Sequence, residues 1–326
     1  MGRQTIYVRV VLTFALVALG AVGALAQAKP SVATALLPRT PWGDPDLQGT
    51  WPGGPVMVVP FERAPGLGTR ATLTAEELAK RNAEIDSQLK GPPQANFWPE
   101  LGHGPALTSL IVEPDNGRLP PMTADGARRA QEWRVRADPE YPAPSAADLR
   151  PYDRCITRGV LGSAFPNQYG SGMQIHQAPG FVIIRHEMIH EARVIPLGPA
   201  RRPHLASAIT SYMGDPRGWW EGDTLVVETT NFNGKTGSYA RNGDGNPTST
   251  ALRLVERFRL QDSGTLLYEV LVEDPQTWMR PWKVAFPLTR DDSYVLYEYA
   301  CHEGNYAISN ILRAARTAEA RRLTNP

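Results

Sequence analysis

From residue 173 onward, the sequence consists of short runs in which apolar and polar residues alternate. This period-two pattern is typical of β-strands that bury one face, and it constrains the fold more than any other feature of the chain. Turn-forming residues separate nearly all of the runs. The runs are MQIHQ (173–177), FVIIRHEM (181–188), ARVIPL (192–197), TLVVETTNF (224–232), LRLVERFRL (252–260), TLLYEVLVED (265–274), WKVAFPL (282–288) and YVLYEYACH (294–302).

Because no connecting helices are predicted between these runs, neighbouring strands are expected to pair antiparallel. Eight strands in sequence order predict a mainly β protein, an up-and-down meander closed as a barrel of lipocalin type. The run NYAISNILRAARTAEARR (305–322) predicts a C-terminal helix packed on the barrel wall. Residues 151–326 are therefore predicted to form the barrel and its helix.

The first half of the chain is dominated by proline. Of the 30 prolines, 19 lie within the first 151 residues, which favours irregular structure. Two helices are predicted to interrupt it. One begins after a capping box formed by Thr74 and Glu77 and ends at Lys90, and the other covers residues 123–137. Residues 27–150 are predicted to wrap over the barrel, because so proline-rich a stretch is poorly suited to building a core of its own.

Residues 1–26 have the pattern of a secretory signal peptide. A basic segment, MGRQTIYVR, precedes the apolar run VVLTFALVALGAVGALA, and the small residues Ala24 and Ala26 suit cleavage before Gln27. An uncleaved membrane anchor is the alternative. No later segment reaches the roughly 18 apolar residues that a membrane span requires. We therefore expect a periplasmic or secreted protein that has no membrane partner after cleavage.

The charge balance argues against one class of partner. With 34 Lys and Arg against 33 Asp and Glu, the net charge is +1. A nearly neutral protein has no general electrostatic attraction for nucleic acid, so the expected partner is a small molecule. The sequence gives no prediction of the oligomeric state.

Both cysteines, Cys155 and Cys301, follow the predicted cleavage site. In an oxidising compartment such a pair is expected to form a disulfide. Closing so long a loop stabilises a fold by about 4–5 kcal/mol in the chain-entropy description. Two buried free thiols are the alternative.

The segment from His186 to His190 reads H-E-x-x-H, the pattern of zinc proteases. That pattern works on a helix, where residues i and i+4 direct both imidazoles at the metal. Here a strand-like run precedes it, and Pro196 stands where the extended motif carries a third histidine. We therefore predict no cofactor. Zinc held by His186 and His190 is the weaker alternative, and a solvated hairpin edge is another.

One face of the run 252–260 is apolar except for Glu256. A carboxylate in a core-facing row is costly unless it is paired, so Arg193 or Arg280 is expected to accompany it. Such a pair is either a structural ion pair or part of a polar cavity.

The candidate catalytic residues combine this carboxylate with other groups that exchange protons. Glu187, His190, Glu256 and His302 are the predicted acid–base groups, and Arg193 is predicted to stabilise an anionic intermediate. For the segment around His302, the competing interpretation is that Asn305 caps the final helix.

Three further side chains are candidate ligand-binding residues, namely Trp219, Trp282 and Glu303. Tryptophans beside turns and strands can contact a ligand, but they also commonly pack in a core or at its rim. Both interpretations are open for Trp219 and Trp282.

Seven short motifs distinguish this chain from a generic β-rich protein. They are DLQGTW (46–51), DRC (153–155), QAPG (177–180), EMIHEAR (187–193), GWWEGDTLVVET (218–229), VERF (255–258) and YACHEGN (299–305). In combination they resemble a large family of exported proteins from soil and environmental bacteria, over most of residues 44–315. The resemblance implies one continuous unit and export, and it implies no particular reaction. Gly49-Thr50-Trp51 also resembles the G-x-W start of the first lipocalin strand.

The function predicted from these features is the binding of a small organic ligand inside the barrel. Closed barrels of this size enclose one small molecule, and pockets form at their mouths. The alternative is an acid–base enzyme, a hydrolase, lyase or isomerase, that has its site in the barrel and acts with or without a metal.

Overall fold

Seven of the eight alternating runs form strands, as predicted. The computed structural model describes residues 37–90, 100–137, 143–167, 169–199, 201–237 and 245–324, and in these ranges the chain forms ten strands and four α-helices. The strands are β1 (Gly49–Pro52), β2 (Ile111–Glu113), β3 (Gly172–Ala178), β4 (Phe181–His186), β5 (Ala192–Pro196), β6 (Asp215–Glu221), β7 (Thr224–Thr230), β8 (Arg253–Asp262), β9 (Thr265–Glu273) and β10 (Trp282–Thr289). The helices are α1 (Ala75–Lys90), α2 (Ala124–Ala137), α3 (Gly159–Ala164) and α4 (Ala307–Thr324).

The strands form two antiparallel sheets. The smaller sheet has the order β1-β3-β4-β5, and the larger has the order β2-β10-β9-β8-β7-β6. From β6 to β10 the strands of the larger sheet follow one another in sequence order, which is the predicted meander. The protein is therefore mainly β, with a helix at its C-terminal end.

Alternation along the strands places one face of each sheet in the core. In β8, Leu254, Glu256 and Phe258 are fully buried, whereas the residues between them are partly exposed. Tyr268 of β9 lies between Phe258 and Phe286, with ring centroids 5.0 and 5.3 Å apart. Burying one such side chain stabilises the fold by about 1.5–3 kcal/mol. The inner faces of the strands thus form a packed hydrophobic core.

The two sheets meet at two edges. Beyond β5, the Gly198 N–H donates to the Gly218 carbonyl at 3.0 Å. A Cβ at position 218 would lie 2.7 Å from the Leu197 side chain, which disfavours any residue larger than glycine there. On the other side, the Asp291 N–H after β10 donates to the Thr50 carbonyl of β1 at 2.9 Å. The described strands nevertheless remain two sheets, so the predicted closed barrel of lipocalin type is not confirmed.

The proline-rich half does more than cover the sheets. It supplies β1, which pairs with β3, and β2, which pairs with β10. Trp51 of β1 is completely buried, and its indole Nε1–H donates to the Leu47 carbonyl at 3.1 Å. The chain from Leu37 onward forms one compact unit.

The three predicted helices are confirmed as α1, α2 and α4. At the start of α1, the Thr74 N–H donates to the Glu77 carboxylate at 2.8 Å, and the Glu77 N–H donates to Thr74 Oγ1 at 3.2 Å. The ion pair with Arg70 and this capping box lower the pKa of Glu77 to about 2. At the start of α4, Asn305 accepts a hydrogen bond from the Ala307 N–H at 3.1 Å and so caps the helix.

Two strand assignments differ from the prediction. Residues 294–300 alternate in sequence, but they have no regular structure. The edge of β10 away from β9 is already paired with β2, and Tyr294 instead donates to Glu187 at 2.7 Å. Conversely, β6 is not predicted because Pro216 and Gly218 interrupt its β-forming pattern, yet it pairs with β7 along its whole length.

Cys155 and Cys301 form the predicted disulfide, with their Cα atoms 5.6 Å apart. Within the described ranges, no helix combines the length and the apolarity needed to cross a membrane. The predicted signal peptide, residues 1–26, lies outside the described residues.

Candidate functional site

Glu256 lies in the core and is paired with Arg193, one of its two predicted partners. Arg193 donates from Nη1 and Nη2 to the two carboxylate oxygens at 2.9 and 2.5 Å, and the side chains are 2% and 0% exposed. The Tyr268 hydroxyl donates to Glu256 at 3.1 Å, and Nη2 donates to Thr229 at 3.3 Å. The two-pronged contact is the strong form of an Arg–carboxylate pair.

The charges of this pair determine its protonation. Burial by itself lowers the pKa of Arg193, but the charge of Glu256 and its hydrogen bonds outweigh burial and raise it. Burial and the same carboxylate raise the pKa of Tyr268 well above its ordinary value. Arg193 is therefore charged and Tyr268 protonated at neutral pH. Enclosed by core strands, Arg193 and Glu256 have the properties of a structural ion pair, and their predicted catalytic roles stay predictions.

The H-E-x-x-H segment does not form the helix that zinc proteases use. β4 ends at His186, and a 3₁₀ turn covers Met188–His190. Ile189 and His190 have φ of 59° and 43°, so the two histidines are not one helical turn apart on a common face. Among the described residues, no group of three His, Cys, Asp or Glu side chains is placed to hold a metal ion.

The remaining predicted catalytic residues lie around this turn and beside the disulfide. Glu187 accepts hydrogen bonds from the Gly172 N–H at 3.1 Å and from the Tyr294 hydroxyl. His190 is exposed, and its Nδ1 lies 3.1 Å from the Tyr299 carbonyl. The five predicted residues thus occupy three environments: the core (Arg193 and Glu256), the turn after β4 (Glu187 and His190) and the exposed turn after Cys301 (His302, with the ligand candidate Glu303).

Trp219 and Trp282 do not share a ligand platform. They lie on β6 and β10, with three strands of the larger sheet between them. Trp282 is completely buried and packs edge-on against Trp278, with ring centroids 5.4 Å apart. Trp219 is partly exposed and donates from Nε1 to Glu221 at 3.0 Å. The geometry favours core packing for Trp282.

Arg158, which precedes α3, is a buried arginine of a different kind. It is only 2% exposed, and none of its three guanidinium nitrogens has a hydrogen-bond partner among the described residues. Its Cζ lies 5.0 Å from the ring centre of Tyr152 and 5.7 Å from that of Tyr169. The hydroxyls of these two tyrosines are 3.0 Å apart, and Tyr169 is also hydrogen-bonded to Tyr299.

His186 lies close enough to Arg158 for its titration to be affected. Its ring is buried, and neither ring nitrogen has a hydrogen-bond partner. Burial, followed by the charges of Arg193 and Arg158, lowers the pKa of His186 to about 3. The imidazole is therefore neutral at physiological pH and carries one N–H donor. We refer to Tyr152, Arg158, Tyr169, His186 and Tyr299 as the Arg158 cluster.

The backbone around this cluster is tightly held. The Thr157 hydroxyl donates to Glu191 at 2.5 Å, and the disulfide ties the preceding turn to the segment that contains Tyr299. Cys155, Ile189 and His190 are three of the four non-glycine residues with positive φ in the described part of the chain. Such a conformation costs about 1–2 kcal/mol for an ordinary residue, and strained residues tend to gather at functional sites.

A separate cavity of about 410 Å³ opens beside α2. Its volume falls in the range typical of small-molecule sites. We refer to it as the α2 cavity. It is lined by Arg129, Glu132, Trp133 and Arg136 of α2, by Ala147–Pro151 and Arg154, and by Tyr212, Gly234, Lys235 and Pro247.

Five of the side chains that line the α2 cavity are cationic and two are anionic. Arg150 is paired with Asp153 at 2.9 Å, and Glu132 is paired with Arg128 at 3.0 Å. In the part of the chain that the structure describes, the side chains of Arg136, Arg154 and Lys235 have no hydrogen bond or ion pair. The wall of the cavity therefore carries more positive than negative charge.

Neither the Arg158 cluster nor the α2 cavity is predicted from the sequence, although the residues of α2 that line the cavity follow a recognisable pattern. Arg129, Trp133 and Arg136 follow the spacing i, i+4, i+7, which places them on one face of a helix. For Arg158 no local pattern exists, because its burial arises from segments far apart in the chain.

Comparisons of the chain with protein-family models, with curated protein sequences and with solved structures find no match. The resemblance to exported bacterial proteins therefore stays a prediction. Functional inference depends on the geometry of the described residues.

Proposed function

We propose that this protein binds a small organic anion with an aromatic or apolar portion in the α2 cavity. The observation that carries the proposal is a group of three cations, Arg136, Arg154 and Lys235, that have no partner among the described residues and surround a cavity of about 410 Å³. A ligand carboxylate, sulfonate or phosphate would supply the acceptors that these side chains lack.

The proposed ligand site differs from the one predicted from the sequence, which lies inside a barrel. Tyr268, Phe258, Phe286 and their neighbours fill the space between the inner faces of the sheets, so we assign the ligand to the surface beside α2. There, helix residues face loops of the larger sheet, and sites between elements are common positions for ligands.

The chemistry of the wall explains the ligand class. Guanidinium groups bind planar carboxylates through two parallel hydrogen bonds, and their faces stack on aromatic rings. Trp133, Tyr212 and Leu149 supply apolar and aromatic area beside the cations. Each hydrogen bond to a charged group contributes about 1.5–3 kcal/mol, which corresponds to roughly tenfold or more in affinity.

We also propose that the protein is located in the periplasm or outside the cell. The Cys155–Cys301 disulfide supports this, because disulfides persist mainly in oxidising compartments. Cell fractionation of the full chain tests it, and recovery of the protein with reduced cysteines in the cytoplasm would contradict it.

The binding proposal is tested with 2-naphthoate as a fluorescent anionic probe and 2-naphthamide as its uncharged counterpart. We expect wild-type protein to bind the naphthoate and to bind the amide at least tenfold more weakly. The double variant Arg154→Gln/Lys235→Gln should weaken naphthoate binding by tenfold or more and leave amide binding unchanged.

Arg134→Gln is the matched control, because Arg134 lies on the same helix, does not line the cavity and donates to the Ala130 carbonyl of its own helix. It should bind both probes as the wild type does. Equal affinity for the two probes, or loss of naphthoate binding in the control alone, would overturn the proposal.

A further inference from the structure

Three arginines are buried in the described ranges, and two of them have acceptors for their guanidinium groups. Arg193 binds Glu256, as described above. Arg63 donates to Thr108 Oγ1 at 2.9 Å and to the Asp115 carbonyl at 2.5 Å. Arg158 has no hydrogen-bond acceptor in the part of the chain that the structure describes.

A buried arginine without hydrogen-bond acceptors destabilises the fold unless another group compensates its charge. Arg keeps its proton under all physiological conditions, so it cannot become neutral as a buried Lys or His does. The rings of Tyr152 and Tyr169 attract the cation through their faces, but they accept no hydrogen bond from its N–H groups at these distances. Among the described residues the N–H donors of Arg158 have no hydrogen-bond acceptor, and leaving such donors unpaired in the interior is costly.

The neighbours of Arg158 add further donors. His186 is buried with both ring nitrogens free, and the hydroxyls of Tyr152, Tyr169 and Tyr299 are linked to one another. The Arg158 guanidinium thus offers N–H donors that an oxyanion complements, and His186 lies within electrostatic reach of it.

We propose that the Arg158 cluster is a second ligand site, which binds the carboxylate group of a small monovalent anion through the Arg158 guanidinium. Two carboxylates of the protein restrict the charge of the ligand. Glu100 interacts electrostatically with both Arg158 and Glu187, and it forms no hydrogen bond with either. Glu100 accepts a hydrogen bond from the Gly170 N–H at 3.2 Å, and Gly170 directly follows Tyr169 of the cluster. A monoanion therefore suits this environment better than a doubly charged phosphate.

The site lies one side chain below the surface. Tyr152, Tyr169 and Tyr299 are partly exposed, although the guanidinium between them is not. Tyr299 belongs to the irregular segment 294–300, which is held by the disulfide and by the contact of its carbonyl with His190.

The experiment compares thermal unfolding of wild-type protein and of Arg158→Met in sodium acetate, sodium phosphate and sodium chloride at equal ionic strength. Acetate should raise the Tm of the wild type by about 2–4 °C above the chloride value at concentrations several times the Kd. The Arg154→Gln/Lys235→Gln background prevents acetate from acting through the α2 cavity, and in that background Arg158→Met should have the same Tm in acetate as in chloride. General salt effects act on both proteins equally, so the difference between them reports the site.

Arg154→Met separates this proposal from the α2 cavity, on which it does not depend. If acetate acts at Arg158, Arg154→Met should keep the acetate response. Loss of the response in Arg154→Met but not in Arg158→Met would assign acetate to the α2 cavity and overturn the present proposal.

The ligand-free Arg158→Met protein should be at least as stable as the wild type, because the substitution removes a buried charge without breaking a hydrogen bond. If Arg158→Met does not fold, Arg158→Lys keeps the charge and removes the planar pair of donors. Arg158→Lys should then need at least tenfold more acetate for the same shift. An equal acetate response in the wild type and in the Arg158 variant overturns the proposal, and a larger phosphate than acetate response contradicts its monovalent class.

Discussion

Arg193 and Arg158 are buried to the same extent, but their surroundings differ completely. Arg193 is in the core, where Glu256, Thr229 and Tyr268 form one hydrogen-bonded group with it. Arg158 lies near the disulfide between tyrosine rings and has no hydrogen-bond acceptor. His186 lies within electrostatic reach of both guanidinium groups.

The difference shows that burial alone does not distinguish a structural charge from a binding group. A buried charge whose donors are nearly all paired inside the protein leaves little for a ligand to add. A buried charge without acceptors stays costly until something binds it, which is why Arg158 indicates a ligand and Arg193 does not.

The largest effect is expected for Arg193→Met. This substitution leaves the Glu256 carboxylate buried without its counter-ion, so the free energy of unfolding should fall by about 3–5 kcal/mol. Urea denaturation followed by circular dichroism measures it.

The double variant Arg193→Met/Glu256→Leu should recover most of this loss, because no unpaired charge then remains. If Arg158→Met destabilised the protein more than Arg193→Met does, the comparison between the two arginines would be reversed.

A somewhat smaller effect is expected from removing the disulfide in Cys155→Ser/Cys301→Ser. The bridge spans 146 residues, and loss of such a bridge typically costs about 2–5 kcal/mol. Hydrogen exchange should show that amides near Tyr152 and Tyr299 lose protection first, whereas those of β8 around Glu256 keep theirs. Equal loss of protection in both regions would show that the bridge does not specifically hold the Arg158 cluster.

The smallest expected change in stability is the pH-dependent contribution of His186. Its folded pKa is lowered to about 3, so below about pH 6.5 the unfolded chain takes up a proton that the folded protein does not. Stability from this residue is therefore fully present above pH 6.5 and is lost as the pH falls toward 3.

Between pH 6.5 and 5.5 the wild type should lose about 1 kcal/mol more than His186→Gln, which cannot titrate. Urea denaturation of both proteins at these two pH values measures the difference, since other titrating groups are common to both. Parallel pH dependence of the two proteins would contradict a neutral buried His186.

Local sequence patterns predict much of the secondary structure. Alternation identifies seven of the ten strands, and the Thr74–Glu77 capping box and Asn305 identify the starts of two helices. The failures have specific causes. The alternating run 294–302 finds no free strand edge, and β6 is held in its sheet by β7 in spite of Pro216 and Gly218.

The candidate sites are predicted less well than the fold. The position of Glu256 in an apolar row correctly indicates a paired carboxylate, but the identity of the partner depends on where β5 crosses β8 in space. The H-E-x-x-H spacing predicts a helical face only if the segment is helical, and the positive φ of Ile189 removes that condition.

The sequence by itself determined the antiparallel β class, the helices and the cysteine pair, because period and capping act through neighbouring residues and two cysteines allow only one internal disulfide. Only the tertiary structure decided that Arg193 has a counter-ion and Arg158 has none. Hydrogen-bond partners of buried groups come from distant segments, such as β8 for Arg193, so no local pattern records whether an acceptor is present.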